Sequence, residues 1–162
     1  MAVSLLRRDA WDLTWRDAVV FAVLGVANNR SIAWGIAKSA SAHGAELAFT
    51  YQSEALGKRV KPLAGELGSS LVMPCDVEDV GTVASVFETL GSEWGSLDFI
   101  VHAIGFTDRS QLKGRYVDVT TRENFTRTMV CRYFIRPPPR GDDGVSPAAV
   151  VLRLLLLPAE RL

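Results

Sequence analysis

Gly25-Val26-Ala27-Asn28-Asn29-Arg30-Ser31-Ile32-Ala33-Trp34-Gly35 is the stretch that decides the fold of this chain. The run before it, residues 19–24, is apolar and β-branched, and Gly25 ends it, so it reads as a buried strand. Ser31 is placed to cap a helix through Ile32, Ala33, Ile36, Ala37 and Ala40, which Gly44 stops. A glycine closing the strand permits a tight turn and a close backbone approach. Ser31 and Ile32 would then present amides at a helix N-terminus, where the dipole favours a pyrophosphate. Gly35, one turn in, would let the helix pack closely on a sheet. Those are the physical roles of a dinucleotide fingerprint, but the spacing is not G-x-G-x-x-G. On spacing alone, a capped helix after a turn is an equally good reading.

Working outward, the alternation of strand and helix continues. Residues 46–51 form a second strand, and Ser53 opens a helix towards Leu67 in which Pro62 must start a new turn or make a kink. Residues 71–74 read as a third strand. Residues 80–94 space Val80, Val83, Val86, Phe87 and Leu90 on one helical face. A fourth strand spans residues 97–102, and a further helix begins at about Thr121. Strands alternating with helices over roughly this length imply parallel pairing through right-handed crossovers. The expected class is therefore α/β, a Rossmann-like doubly wound parallel sheet, with its ligand crevice at the carboxyl ends of the strands. The sheet is expected to be truncated after the fourth strand.

The two ends read differently. Residues 1–18 are unplaced, residues 19–130 form the dinucleotide-binding half, and residues 131–162 read as an irregular tail. That tail holds five arginines, five prolines and no lysine, with Pro137-Pro138-Pro139 followed by Gly-Asp-Asp-Gly. Arg7-Arg8 before an apolar run loosely resembles an export signal, but Asp9, Asp12 and Asp17 interrupt the interval. The apolar run 148–157 is about half the length that spans a bilayer. Eighteen basic residues balance eighteen acidic ones, which gives no electrostatic reason for a nucleic acid or membrane partner. Cys75 and Cys131 make neither a disulfide framework nor a metal-type pair, so no metal site is expected and a cytoplasmic setting fits.

Several motifs in order resemble the NADH-dependent enoyl-[acyl-carrier-protein] reductases of bacterial fatty-acid synthesis, a divergent short-chain dehydrogenase/reductase branch. They are the loop from Gly25 to Gly35 with Ile36-Ala37-Lys38, the run from Gly44 to Gln52, and Pro74-Cys75-Asp76-Val77. The run from Asp98 to Phe106, Leu112-Lys113-Gly114-Arg115-Tyr116 and Thr121-Arg122 complete the set, covering roughly residues 19–129. The resemblance implies an oxidoreductase that transfers hydride from NADH to a 2-enoyl thioester carried on acyl-carrier protein, in a homo-oligomer. It assigns the cofactor to Gly25, Ala27, Ser31 and Ile32 at the phosphates and Gln52 at the adenosine ribose. Asp76 and Val77 would hold the adenine, and Ala103, Ile104 and Gly105 would lie beside the nicotinamide ribose.

The same family places a tyrosine, and a lysine seven positions later, on a helix beyond Met129. No such pair is found here. Tyr51 and Lys58 have the spacing but lie on the adenosine side, while Tyr116 and Tyr133 lead to Glu123 and Arg140. His102 reads as the end of a buried strand, not as a catalytic base. No catalytic residue is therefore named, and the expected chain is one that keeps the cofactor half, through frameshift or truncation, and lacks the catalytic half. The alternatives are a non-catalytic dinucleotide-binding module and a non-functional product.

Overall fold

The computed structural model describes residues 19–95, 97–133 and 150–153. Five strands, β1 (Val20–Leu24), β2 (Glu46–Tyr51), β3 (Leu71–Pro74), β4 (Phe99–His102) and β5 (Val150–Arg153), form one sheet in the order β3-β2-β1-β4-β5. Every neighbouring pair is parallel. Helices α1 (Ile32–Ala42), α2 (Glu54–Glu66) and α3 (Val80–Trp94) make the crossovers. After β4 come a short 3-10 turn (Arg109–Leu112), α4 (Tyr116–Val119) and α5 (Arg122–Tyr133). The chain winds outward from β1 to β3, then returns to place β4 on the other side of β1. That reversal leaves a crevice between the ends of β1 and β4, where a doubly wound sheet takes its ligand.

Period-two alternation sends the strand residues to two separate cores. Val20, Ala22, Leu24 and Ile100 face α3, packing with Val83, Val86 and Leu90. Val23, Leu47, Phe49 and Val101 face α1 and α2, meeting Trp34, Ala37, Val60 and Ala64. Both sides of β1 are therefore covered, which is why residues 19–24 are apolar without alternation. At the opposite end of the sheet, the Asp98 carboxylate accepts from the Val20 amide at 2.8 Å, tying the start of β1 to the approach to β4.

Two differences from the sequence reading concern the sheet. The sheet does not stop at its fourth strand: Val150 to Arg153 pair with Phe99 to His102, using the β-branched Val150-Val151 pair of the apolar run. The fourth strand begins two residues later than expected, at Phe99. Helix α2 runs through Pro62 to Glu66, the extent expected. Helix α5 carries on through Tyr133, so the chain is not irregular from residue 131 as expected; the expectations for residues 1–18, 134–149 and 154–162 fall beyond the described residues.

Candidate cofactor site

A cleft of about 510 Å³ opens at the carboxyl ends of β1, β2, β3 and β4. Its centre is the switch point. Gly25 follows β1 with φ +100°, and a Cβ there would overlap the carbonyl of Ala103, which follows β4. The Ala103 amide donates to the Leu24 carbonyl at 3.0 Å, so the two loops are locked side by side. Only glycine fits both the backbone angle and the contact.

From Gly25 the chain turns around Asn28 into α1. The Asn28 Oδ1 accepts from the Arg30 amide at 2.8 Å, and its carbonyl accepts from the Ser31 hydroxyl at 2.8 Å. Ser31 therefore occupies the cap position with extended backbone, as expected, but its hydroxyl turns back and makes no capping bond. Helices α2 and α3 contrast with this. The Ser53 Oγ accepts from Leu56, and the Asp79 Oδ1 accepts from Gly81. The first amides of α1 have no acceptor within the helix, and no acidic side chain stands in its first turn. Ser31, Ile32 and Ala33 all line the cleft. An anion is what such a helix start accommodates best.

The β2 side supplies Tyr51 and Gln52. Tyr51 is buried and its hydroxyl donates to Glu54, which removes it further from any catalytic role; Lys58 is exposed on α2. The Gln52 amide reaches across to β3 and donates to Asp76 Oδ2 at 3.2 Å. The other carboxylate oxygen of Asp76 accepts from the Glu78 amide at 3.0 Å. Thr82 completes the loop, accepting from the Asp76 amide and donating to its carbonyl. Cys75 and Val77 are buried in the wall, and burial pushes the Cys75 thiol up to about 11. A thiol held protonated at neutral pH is a poor nucleophile.

The β4 side supplies Ala103, Ile104, Gly105, Phe106 and Thr107, and α5 closes the cleft with Thr128 and Cys131. Asn124 on α5 is buried and holds this loop at two points. Its Nδ2 donates to the Thr107 hydroxyl at 2.8 Å, and its Oδ1 accepts from the Asp108 amide at 3.0 Å. His102 is 2% exposed, and its Nε2 lies 2.9 Å from the Cys131 carbonyl, which requires a proton on that nitrogen. The histidine joins β4 to α5.

The structure thus brings Gly25, Ala27, Ser31, Ile32, Gln52, Val77, Ala103, Ile104 and Gly105 into one wall. Asp76 is not in that wall; it is hydrogen-bonded to one of its members. Gly35 does not do what its sequence position suggests. It is exposed, and a Cβ there would meet nothing within 4 Å, so close packing on the sheet is not its role. Tyr51 joins the wall because it ends β2, and Cys75 because it directly follows β3. Thr128 and Cys131 carry no sequence signal, because only tertiary packing carries α5 over the cleft. Among the described residues no group of three metal-ligating side chains stands together.

Comparison with known proteins agrees with this geometry. A family model described as Enoyl-(Acyl carrier protein) reductase matches residues 25–133. A relative from Rhizobium meliloti named enoyl-[acyl-carrier-protein] reductase [NADH] 2 is 58% identical over 134 residues, covering 82% of this chain and 50% of its own length. The FabI enzyme of Rickettsia felis, also named as an NADH enoyl-[acyl-carrier-protein] reductase, is 50% identical over 107 residues, 66% of this chain and 41% of that protein. Among solved structures, the reductase of Anaplasma phagocytophilum in complex with NAD superposes with a TM-score of 0.66 at 54% identity. The match covers 69% of this chain and 42% of that one. The enoyl-[acyl-carrier-protein] reductase (NADH) of Aquifex aeolicus gives the same TM-score at 45% identity, covering 68% and 43%. The chain spans about half the length of the curated relatives it matches.

Proposed function

The chain belongs to the enoyl-(acyl carrier protein) reductase family, and we propose that its cleft is the NADH site of such an enzyme. The observation that carries the reading is the start of α1, uncapped by any side chain and open to the cleft beside the Gly25–Ala103 contact. Gly25, Ala27, Ser31 and Ile32 would hold the phosphates, with the dipole of α1 contributing positive potential. Gln52 would meet the adenosine ribose, with Asp76 and Val77 at the adenine and Ala103, Ile104 and Gly105 beside the nicotinamide ribose. The residues fit that group: the wall is apolar where rings would lie, and unengaged amides stand where charge would lie.

NADH, when bound, supplies the hydride that reduces the double bond of a 2-enoyl thioester presented on acyl-carrier protein. This chain's own residues bind and orient the cofactor; its buried walls exclude water from one side. An oxygen that gains charge as the hydride arrives needs a hydrogen-bond donor, and among the described residues no tyrosine–lysine pair with the family's spacing lines the cleft. Residues 19–130 are on this reading the cofactor-binding half. No helix among the described residues is long and apolar enough to cross a membrane, and the cytoplasm is the proposed compartment. The proposed assembly is a homo-oligomer, as the family resemblance implies.

Two measurements on the purified chain test the reading. Titration of NADH fluorescence should saturate at micromolar concentration, and oxidation of NADH should be followed with a crotonyl thioester. Absence of saturable NADH binding by the folded chain would overturn the cofactor assignment. A second reading, a dinucleotide-binding module without turnover, is favoured by a wall whose described residues come from the ends of β1 to β4, the starts of α1 and α2, and α5. Binding with no oxidation of NADH selects it.

A further inference from the structure

Arg127 stands in the middle of α5 and has no place in the cofactor contacts proposed above. Its Nε donates to Glu78 Oε1 and its Nη2 donates to Glu78 Oε2, both at 2.7 Å. This is a two-pronged guanidinium–carboxylate pair with little freedom of orientation. The same guanidinium lies 4.5 Å from the centroid of the Phe106 ring, within cation–π range. Glu78 directly follows Val77 on the loop after β3. Phe106 directly follows Gly105 on the loop after β4. One side chain therefore grips both loops from a helix whose Thr128 and Cys131 already line the cleft.

The contacts add little to the core. Arg127 is 50% exposed and Glu78 28%, and half-exposed ion pairs contribute only marginally to folding. Their effect is geometric. The two loops belong to strands separated by β1 and β2 in the sheet, so backbone pairing does not fix their tips relative to each other. A ligand that must touch both loops binds more tightly when their separation is set beforehand. Each loop also has a second hold, Thr82 on the first and Asn124 on the second, so each is internally ordered without Arg127. What Arg127 adds is the link between them.

We infer that Arg127 is a positioning residue of the cofactor site, clasping Glu78 and Phe106 so that the loops after β3 and β4 stand ready for one ligand that spans them. The inference rests on the dinucleotide reading of the cleft. It predicts a loss confined to ligands long enough to reach both loops.

The test compares NADH with ADP, which lacks the nicotinamide half, on the full chain. Arg127→Gln and Glu78→Gln should each weaken NADH binding about three- to fivefold, the range expected for a partly exposed pair. The double variant should be no weaker than the weaker single one, because one contact is removed either way. ADP affinity should change by less than about twofold, and far-ultraviolet spectra and melting curves should match those of the unaltered chain. Equal losses for NADH and ADP, additive losses in the double variant, or unchanged NADH affinity in Arg127→Gln would each overturn the positioning role while leaving the cofactor site intact. If the unaltered, folded chain binds neither nucleotide, the cofactor reading fails and takes the clasp with it.

Discussion

Replacing Gly25 with alanine should damage both the fold and the cleft, and the size of the damage can be worked from two separate costs. A φ of +100° is foreign to an L side chain, and such strain costs about 1–3 kcal/mol. The added Cβ would also overlap the Ala103 carbonyl, whose own amide is bonded to Leu24 at 3.0 Å, so neither loop retreats freely. Forced overpacking of this kind adds about 1–3 kcal/mol. The sum, about 2–6 kcal/mol, compares with a total stability of about 5–15 kcal/mol for an ordinary domain. At about 2–4 °C per kcal/mol for a chain of 162 residues, the melting temperature should fall by roughly 4–24 °C. Gly35→Ala is the matched control. Gly35 lies inside α1, with nothing within 4 Å of an added Cβ, so alanine should raise stability by about 0.5–1 kcal/mol. Thermal melts of both variants, followed by NADH titration of whatever remains folded, provide the assay. The reasoning is refuted if Gly25→Ala melts with the parent chain and binds NADH equally well.

Four further outcomes are expected. Phe49 is 0% exposed and packs near Trp34 at a ring separation of 6.5 Å, so Phe49→Ala should cost about 3–5 kcal/mol by chemical denaturation. Asn124→Ala leaves the Thr107 hydroxyl and Asp108 amide without their partner, at about 1–3 kcal/mol; a stability change below half of that would mean the loop rearranges freely. Cys75 and Cys131 should react slowly with a thiol reagent at pH 8 in the native chain and rapidly in denaturant, since burial raises both thiols; fast native labelling would contradict their burial. The same shift makes stability pH-dependent. The folded chain holds the Cys75 proton more tightly than the unfolded one, so stability is full below about pH 9 and falls as pH rises towards about 11, which denaturation at stepped pH would register.

Much of the fold could be read from the sequence because its strongest signals are local. Residues 19–24 are apolar on both faces because β1 is central, with β2 on one side and β4 on the other. Glycines mark the turn after β1 and the end of α1, and Ser53 announces α2 through a real capping bond. The site was legible to the same extent, because a doubly wound sheet delivers its ligand contacts from strand ends whose positions the alternation fixes. One reading failed where a local rule met a tertiary fact: Gly35 looks like a packing glycine although it faces open space.

What remained hidden belongs mostly to α5. This helix carries Arg122, Glu123, Asn124, Thr126, Arg127 and Thr128 with few apolar residues between them, so no hydrophobic stripe announces which side meets the sheet. Its placement is set by polar contacts between residues distant in sequence. Asn124 reaches Thr107 and Asp108, Arg127 reaches Glu78, and the Cys131 carbonyl meets His102. Hydrogen bonds of this sort have no period and no composition, only geometry. Each is modest in net stability, because water would satisfy the same groups in the unfolded chain. Each is directional, however, and together they fix the loop after β4 where apolar packing alone would leave it free to slide. The cleft therefore draws on two different codes: strand ends, which hydrophobic patterning makes visible, and a polar helix that orders the loops between them.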